Sequence, residues 1–374
     1  MSTPLTADQR LFRDSTRDFL EHSVPLAKLR DASSAGAAGF DRGWWRRGAE
    51  LGWTSLLVPE SAGGGSISGL GVLDLMLVAR EMGRRVAPGP LLPSCIVTAT
   101  LAAAAPEHGD VLDGLLSGET VVAWAHAEPG GRWSADDMAT RVTAAGGDLI
   151  VNGTKTAVEA GDVADYFLVS AVSDADPALL LVPSAAPGIE RHELNSLDAS
   201  RRFAEVEFSN VTVGQSALIG APDSAAGLIE RQLQLANVIQ CAEIAGAVER
   251  VFEFTVQWAD DRYSFGRALA SYQALKHRFA DLKMWLEAIN ATTDAAAKAV
   301  QDDAPDAAQL VSVAKSFVAG HAPAMLQDCV QLHGGIGLTW EHDLHLYLRR
   351  VSQDSTLVGT ASDHRRRLAT AIGL

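Results

Sequence analysis

The hydrophobic period of this chain changes twice, and the order of those changes narrows the possible folds more than any single residue does. Residues 1–118 carry helical spacing. Thr6 and Gln9 form a candidate capping box, and Leu11, Phe12, Thr16, Phe19 and Leu20 then recur at intervals of three and four. Glycines 63–65 separate the apolar stretch Trp53 to Val58 from another helix expected near Leu70–Met82. Residues 119–222 switch to short runs rich in Val, Leu and aromatics: Val121–Trp124, Leu149–Val151, Tyr166–Ser170, Leu179–Val182 and Phe203–Phe208. Pro129–Gly131, Gly146–Asp148 and Asn152–Gly153 punctuate these runs, and strands at this spacing indicate a small barrel or sandwich. Residues 223–374 return to long helical patterns, expected over 224–262, 271–302, 307–332 and 360–372. Helix, strand, helix excludes a simple alternating βαβ protein. The expectation is an α+β multi-domain chain: an N-terminal all-α domain (1–118), a middle β-barrel or sandwich (119–222) and a C-terminal four-helix bundle (223–374).

Composition closes off several function classes. The 374 residues suffice for a large core, and 47% hydrophobic with 21% charged residues is ordinary for a folded globular chain. A net charge of −15 argues against nucleic-acid binding through a basic surface. Cys95, Cys241 and Cys329 stand far apart, which fits neither a disulfide framework nor a zinc site and suits a reducing cytoplasm. The start, Met1 to Asp8, lacks a basic region followed by an apolar one, and the Ala-rich stretch at 96–105 is too short to span a bilayer. A cytoplasmic protein with no membrane and no metal is expected. None of the ten histidines shows metal-site spacing, so His333, His342 and His345 read as packing or surface residues. The run His364–Arg367 reads as a solvated helix face, and Trp44–Trp45 as core.

Two segments carry chemistry. In the first, Arg262, Phe265, Gly266 and Gln273 straddle a turn between helices. The guanidinium can pair bidentately with phosphate, and the glycine lets backbone approach a ligand. Alone, this reads as an interhelix turn with a surface arginine. In the second, Gln331, His333, Gly334, Gly335 and Gly337 follow a long helix and offer backbone N–H groups to an anion, although helix ends use glycine routinely.

In combination and spacing the two segments resemble the acyl-CoA dehydrogenase family. Trp44 to Gly65 is similar to that family's N-terminal domain, and Phe208 to Val213 to the strand closing its β-domain, so the resemblance runs nearly full length. It implies FAD bound between subunits. Arg262, Phe265, Gly266, Gln273, Gln331, Gly334, Gly335 and Thr360 would then serve as cofactor-binding residues, reaching toward a neighbour's flavin.

The chain departs from the family where a subunit holds its own flavin. A Thr-Glu-Pro followed by small residues becomes Ala127-Glu128-Pro129 with Arg132 and Trp133. After Gly153-Thr-Lys155, Ala157 stands at the aromatic position and Glu159 at a Thr position, where a carboxylate would oppose the negative charge of a reduced ring. The two positions of the family's catalytic glutamate read Val358 and Ala236. Dehydrogenation needs a carboxylate to take the α-proton, and neither residue can act as a base. Glu243 is the nearest substitute on the same helix, but two turns away, roughly 10 Å along the axis; Asp354 and Asp363 lie near the other position.

The resemblance therefore implies a subunit of an FAD-dependent acyl-CoA dehydrogenase with no catalytic residue of its own. It would work with a base-carrying paralogous subunit, as a heterotetramer, on an acyl-CoA substrate (possibly a steroid side-chain ester), with an electron-transfer flavoprotein as acceptor. Two alternatives stand beside it: an active homo-oligomer whose base is Glu243, or a redox-inert scaffold on the same fold.

Overall fold

The computed structural model describes residues 4–35, 41–131, 133–134, 137–174, 176–221 and 223–373. Arg132 and residues 1–3, named above, lie outside them. Helices come first: α1 (Ala7–Ser23), α2 (Leu26–Ala35), α3 (Arg42–Glu50), α4 (Gly71–Arg85), α5 (Leu91–Ala104) and α6 (Gly109–Leu116). The Thr6–Gln9 capping box is present, each side chain bonding the other's backbone N–H at 3.1 Å. Strands follow: β1 (Val122–Ala125), β2 (Arg141–Ala145), β3 (Asp148–Glu159), β4 (Tyr166–Ser173), β5 (Asp176–Pro183), β6 (Ile189–Leu194) and β7 (Phe203–Gly214). Then come α7 (Ala225–Asp261), a short hairpin of β8 (Tyr263–Ser264) and β9 (Arg267–Ala268), α8 (Gln273–Gln301), α9 (Ala307–His333), α10 (Leu344–Asp354) and α11 (Ala361–Ala371).

The expected fold class holds, with additions, among them the β8–β9 hairpin where a plain interhelix turn was expected. Helix α10 was not anticipated, although Leu344, Tyr347 and Val351 are buried at helical spacing. Strands β2 and β6 were also missed. Each has few buried residues, so neither shows a clear apolar alternation.

The chain forms two compact units. One comprises residues 41–75 and 88–236. Its seven-stranded sheet runs β1–β4–β2–β3–β7–β6, with β5 paired along β4. β4 meets β1 and β2 in parallel and β5 antiparallel. A β-rich core gathers Val151, Val158, Val169, Val206 and Val211 around an edge-to-face pair of Phe167 and Phe208, 5.9 Å between rings. Trp44, Trp45 and Trp53 are buried together, as expected of core residues. A Cβ at Gly48 would sit 2.3 Å from the Trp53 ring, so the tryptophans pack only because position 48 carries no side chain. A chain of hydrogen bonds, from the Trp124 indole to Gln232 at 2.9 Å and on to Thr100 at 3.1 Å, ties β1, the start of α7 and α5 together.

The other unit comprises residues 4–35, 76–87 and 237–373 and is helical throughout its long elements. Within it α4 and α7 cross at backbone contact: a Cβ at Gly83 would lie 1.9 Å from the Glu243 carbonyl, and one at Gly246 2.0 Å from that of Arg80. Tyr347 of α10 donates to the Arg84 carbonyl at 2.8 Å, and Arg350 to that of Ala87 at 3.0 Å.

Candidate functional site

The helical unit presents the two glycine-containing segments on its surface. Phe265 and Gly266 form a two-residue hairpin turn between β8 and β9, with φ of 50° and 79°. Positive φ at both central residues is the primed turn that matches strand twist. A phenylalanine in that conformation is costly, and this one is 98% exposed. Arg262, Gly266 and Gln273 are exposed too. Past the end of α9, Gly334 (φ 67°) and Gly335 are open, as is Gly266: a Cβ at any of the three would meet nothing within 4 Å. Gln331 is likewise exposed.

Trp258 joins these two segments. The Arg262 guanidinium lies 5.8 Å from the Trp258 ring, and that ring stacks on buried His333 at 5.3 Å and 19°. His333 directly precedes Gly334, and its Nδ1–H donates to the Cys329 carbonyl at 2.8 Å. Burial holds its pKa below the ordinary histidine value. The arginine and the glycines are thus fixed to one another through two rings, a link the spacing of the segments did not reveal. His342 packs edge-on to His333 at 4.7 Å, and His345 stacks on Trp340 at 4.2 Å, so the three histidines are packing residues.

Position 358, where the family resemblance puts a catalytic glutamate, is equally well built. Val358 is buried with φ 58°, a left-handed conformation that a β-branched residue rarely adopts. Its carbonyl accepts from His364 Nε2 at 3.0 Å, and the other ring nitrogen meets the Ser312 hydroxyl at 3.2 Å. Burial lowers the His364 pKa to about 4. This corrects the expectation of a solvated run: His364 is buried, and Arg365, Arg366 and Arg367 are exposed. Lys315, fully buried, donates to the Gln240 amide oxygen and the Asp354 carbonyl, each at 2.6 Å. Burial pulls its ammonium down to about 8 against the opposing pull of Cys241, Asp354 and Glu243. Glu243 is itself 0% exposed. Thr360 spends its hydroxyl capping α11 in a box with Asp363.

The β-unit treats its corresponding residues differently. Glu128 is buried and consumed. It accepts from Lys155 at 2.8 Å and from the backbone N–H of Ala139 at 2.6 Å and Thr140 at 2.9 Å. Burial opposes its charge, but Lys155 and the backbone donors hold it down at about 2. Burial pulls Lys155 down to about 8 despite Glu128. His126 donates from Nε2 to the Trp133 carbonyl at 3.0 Å and accepts at Nδ1 from Ser170 at 2.6 Å. Burial, then the nearby Lys155 charge, keeps it neutral down to about 4. Ala127 is 4% exposed. Ala157 sits where β3 breaks register against β7, at φ 49°. Glu159, at the end of β3, lies 3.4 Å from Arg201.

Comparison with known proteins decides the family. Three acyl-CoA dehydrogenase domain models match in order: the N-terminal domain over residues 6–118, the middle domain over 123–211 and the C-terminal domain over 226–373. Acyl-CoA dehydrogenase IpdE2 of Mycobacterium tuberculosis is 30% identical over 371 residues, 98% of this chain and 97% of that protein. The chain belongs to the acyl-CoA dehydrogenase family. A solved structure described as a Tcur3481-Tcur3483 steroid ACAD (acyl-CoA dehydrogenase) variant is 26% identical, with a TM-score of 0.87 over 97% of both chains. The ChsE4-ChsE5 complex of Mycobacterium tuberculosis shares the fold at 24% identity, with a TM-score of 0.88 over 100% of this chain and 99% of that one.

Acyl-CoA dehydrogenases bind FAD. The helical unit's surface suits an anionic cofactor arm: an exposed guanidinium, two exposed glutamines and open glycine backbone supply donors without steric cost. The β-unit does not suit a flavin ring. Where the family resemblance puts a hydroxyl, a stacking aromatic and a second hydroxyl, it presents two alanines and a paired carboxylate.

Proposed function

We propose that this chain is the subunit of an FAD-dependent acyl-CoA dehydrogenase that completes a partner's flavin site and supplies no base. The observation that carries the reading is the contrast between the two sets of residues. Arg262, Phe265, Gly266, Gln273, Gln331, Gly334 and Gly335 are all exposed, while in the β-unit Glu128 and Lys155 are buried against each other and Glu159 is buried beside Arg201.

When bound, FAD supplies the acceptor for the hydride removed from the acyl chain. The residues of this chain bind and orient. Arg262 would hold the anionic arm of the cofactor with the backbone N–H groups of Gly334 and Gly335, and Gln273 and Gln331 would offer amide groups beside them. Trp258 and His333 hold those groups in register. Thr360 caps α11 beside Ser312, roughly 30 Å along α9 from Gly334, and does not share that surface. Val358 excludes water where a base would stand and moves no proton. Glu243 offers no replacement, being fully buried in the helical unit within reach of the Lys315 charge.

The partner is a base-carrying paralogue in a heterotetramer. Pairing is supported by the ChsE4-ChsE5 complex, and a steroid-derived acyl-CoA by the steroid ACAD relative. The product electrons pass to an electron-transfer flavoprotein in the cytoplasm. Among the described residues, no helix is long and apolar enough to cross a membrane.

Flavin content tests the reading. The chain expressed alone should be colourless, and co-expressed with a paralogue encoded beside it should carry about one FAD per two chains. A lone chain that binds a full equivalent and bleaches with an acyl-CoA would overturn it. A complex with no flavin would leave only a scaffold.

A further inference from the structure

We propose that Glu190, His192 and Glu207 form a binding site for a divalent transition metal, zinc by its chemistry, on the exposed face of the β6–β7 ladder. The site belongs to the β-unit alone and stands whether or not this chain holds a flavin. Glu190 and His192 are two residues apart on β6, so both side chains leave the same face of the strand. Glu207 of β7 is the direct cross-strand partner of Glu190. One ligand atom from each of the three, two carboxylate oxygens and an imidazole nitrogen, lies within 4.8 Å of the other two, and all three residues are exposed. The spacing of the histidines gave no sign of this site, because the third ligand comes from the neighbouring strand.

Three properties separate this cluster from the ordinary charges of an edge strand. Glu190 Oε2 and His192 Nε2 are 3.7 Å apart, too far for a hydrogen bond and close to the ~3.4 Å between neighbouring ligands of tetrahedral zinc. Like charges directly opposite each other on an antiparallel pair are destabilising, and Glu190 and Glu207 stand so. The nearby arginines are engaged elsewhere. Arg191 donates to the carbonyls of Asp162, Ala164 and Ser184, and Arg202 is held between Asp162 and Glu193. Finally, an imidazole with two carboxylates suits zinc, whereas calcium and magnesium take oxygen ligands. The ladder fixes both backbones from Ile189 to Leu194, so side-chain rotation alone draws the three ligands to ~2.0–2.2 Å from one ion. Water would complete the tetrahedron. A metal here clamps β6, the terminal strand of the sheet, to β7.

The test uses the purified full chain, with its partner subunit where one co-purifies. After chelator treatment, zinc chloride is titrated into the wild type and into His192→Ala/Glu207→Gln, and bound metal is counted by atomic absorption. The wild type should take up about one more zinc ion per copy of this chain than the variant. Zinc should also raise the wild-type unfolding midpoint by a few degrees and leave that of the variant where it was. Equal zinc uptake by the two proteins overturns the inference, as does equal uptake of magnesium and zinc by the wild type. Uptake only at millimolar zinc, an adventitious ion only, overturns it too. Should the double variant fail to fold, Glu190→Gln replaces one exposed carboxylate and should weaken zinc binding at least about tenfold. Undiminished affinity in that variant would count against the site. Flavin content should be the same in all these proteins, so the outcome is independent of the half-site reading.

Discussion

The helical unit and the β-unit handle the same kinds of side chain in opposite ways. In the helical unit, the arginine, glutamines and glycines of the cofactor pattern lie open, and Phe265 is displayed at 98% exposure in a conformation that disfavours it. In the β-unit, Glu128 and Lys155 are buried and bonded to each other, His126 is buried between Ser170 and the Trp133 carbonyl, and Glu159 lies 3.4 Å from buried Arg201. Exposed groups with strained backbone remain open to a ligand outside the chain, whereas buried paired groups are held by the fold. In the function proposed above, the same family pattern is divided between recognition and structure.

Lys155→Met should break the contrast most severely. It leaves the Glu128 carboxylate buried without its counter-charge, which costs about 3–5 kcal/mol. Arg262→Ala, on the exposed surface, should change unfolding free energy by no more than about 0.5 kcal/mol. Denaturant titration of the two variants side by side checks this, and equal losses would mean that Arg262 is structural after all.

Acid should sharpen it next. His126 and His364 have folded pKa values depressed to about 4 from an ordinary 6.5, so the unfolded chain takes up protons first. Stability should be level from pH 6.5 to about 8 and fall below 6.5 toward pH 4, by up to about 3 kcal/mol for each group. Unfolding midpoints across that window, with His126→Gln showing a shallower slope, give the measurement. A flat profile would mean that these imidazoles are protonated in the fold.

The smallest effect concerns the hairpin turn. Phe265→Asn places the residue that primed turns favour before Gly266 and should raise stability by about 0.5–1 kcal/mol. Flavin retention in the complex should drop in the same variant. A gain in stability with unchanged flavin would assign Phe265 no ligand role.

Much of this was legible from residue patterns alone. The Thr6–Gln9 box, the buried tryptophans and the helix, strand, helix order all follow from local spacing, which is why they survive in the structure. Helix α10 went unread although its apolar period was present, and β2 and β6 lack the alternation that marks a strand. At the candidate site, Arg262 and the glycines were found because their residue types are chemically distinctive. His333 was read there as a packing or surface residue, and Trp258 and Arg201 were not singled out, because each acts only through a neighbour brought near by folding.

Sequence by itself determined the family resemblance, the absence of a carboxylate at positions 236 and 358, and the alanines at 127 and 157. These are matters of residue identity at an aligned position. Only the tertiary structure decided that Glu159 is buried 3.4 Å from Arg201, that Glu243 is sealed within reach of the Lys315 charge, and that two rings link Arg262 to the glycine segment. Each depends on burial and on partners distant along the chain, and those quantities exist only once the backbone has brought the groups together.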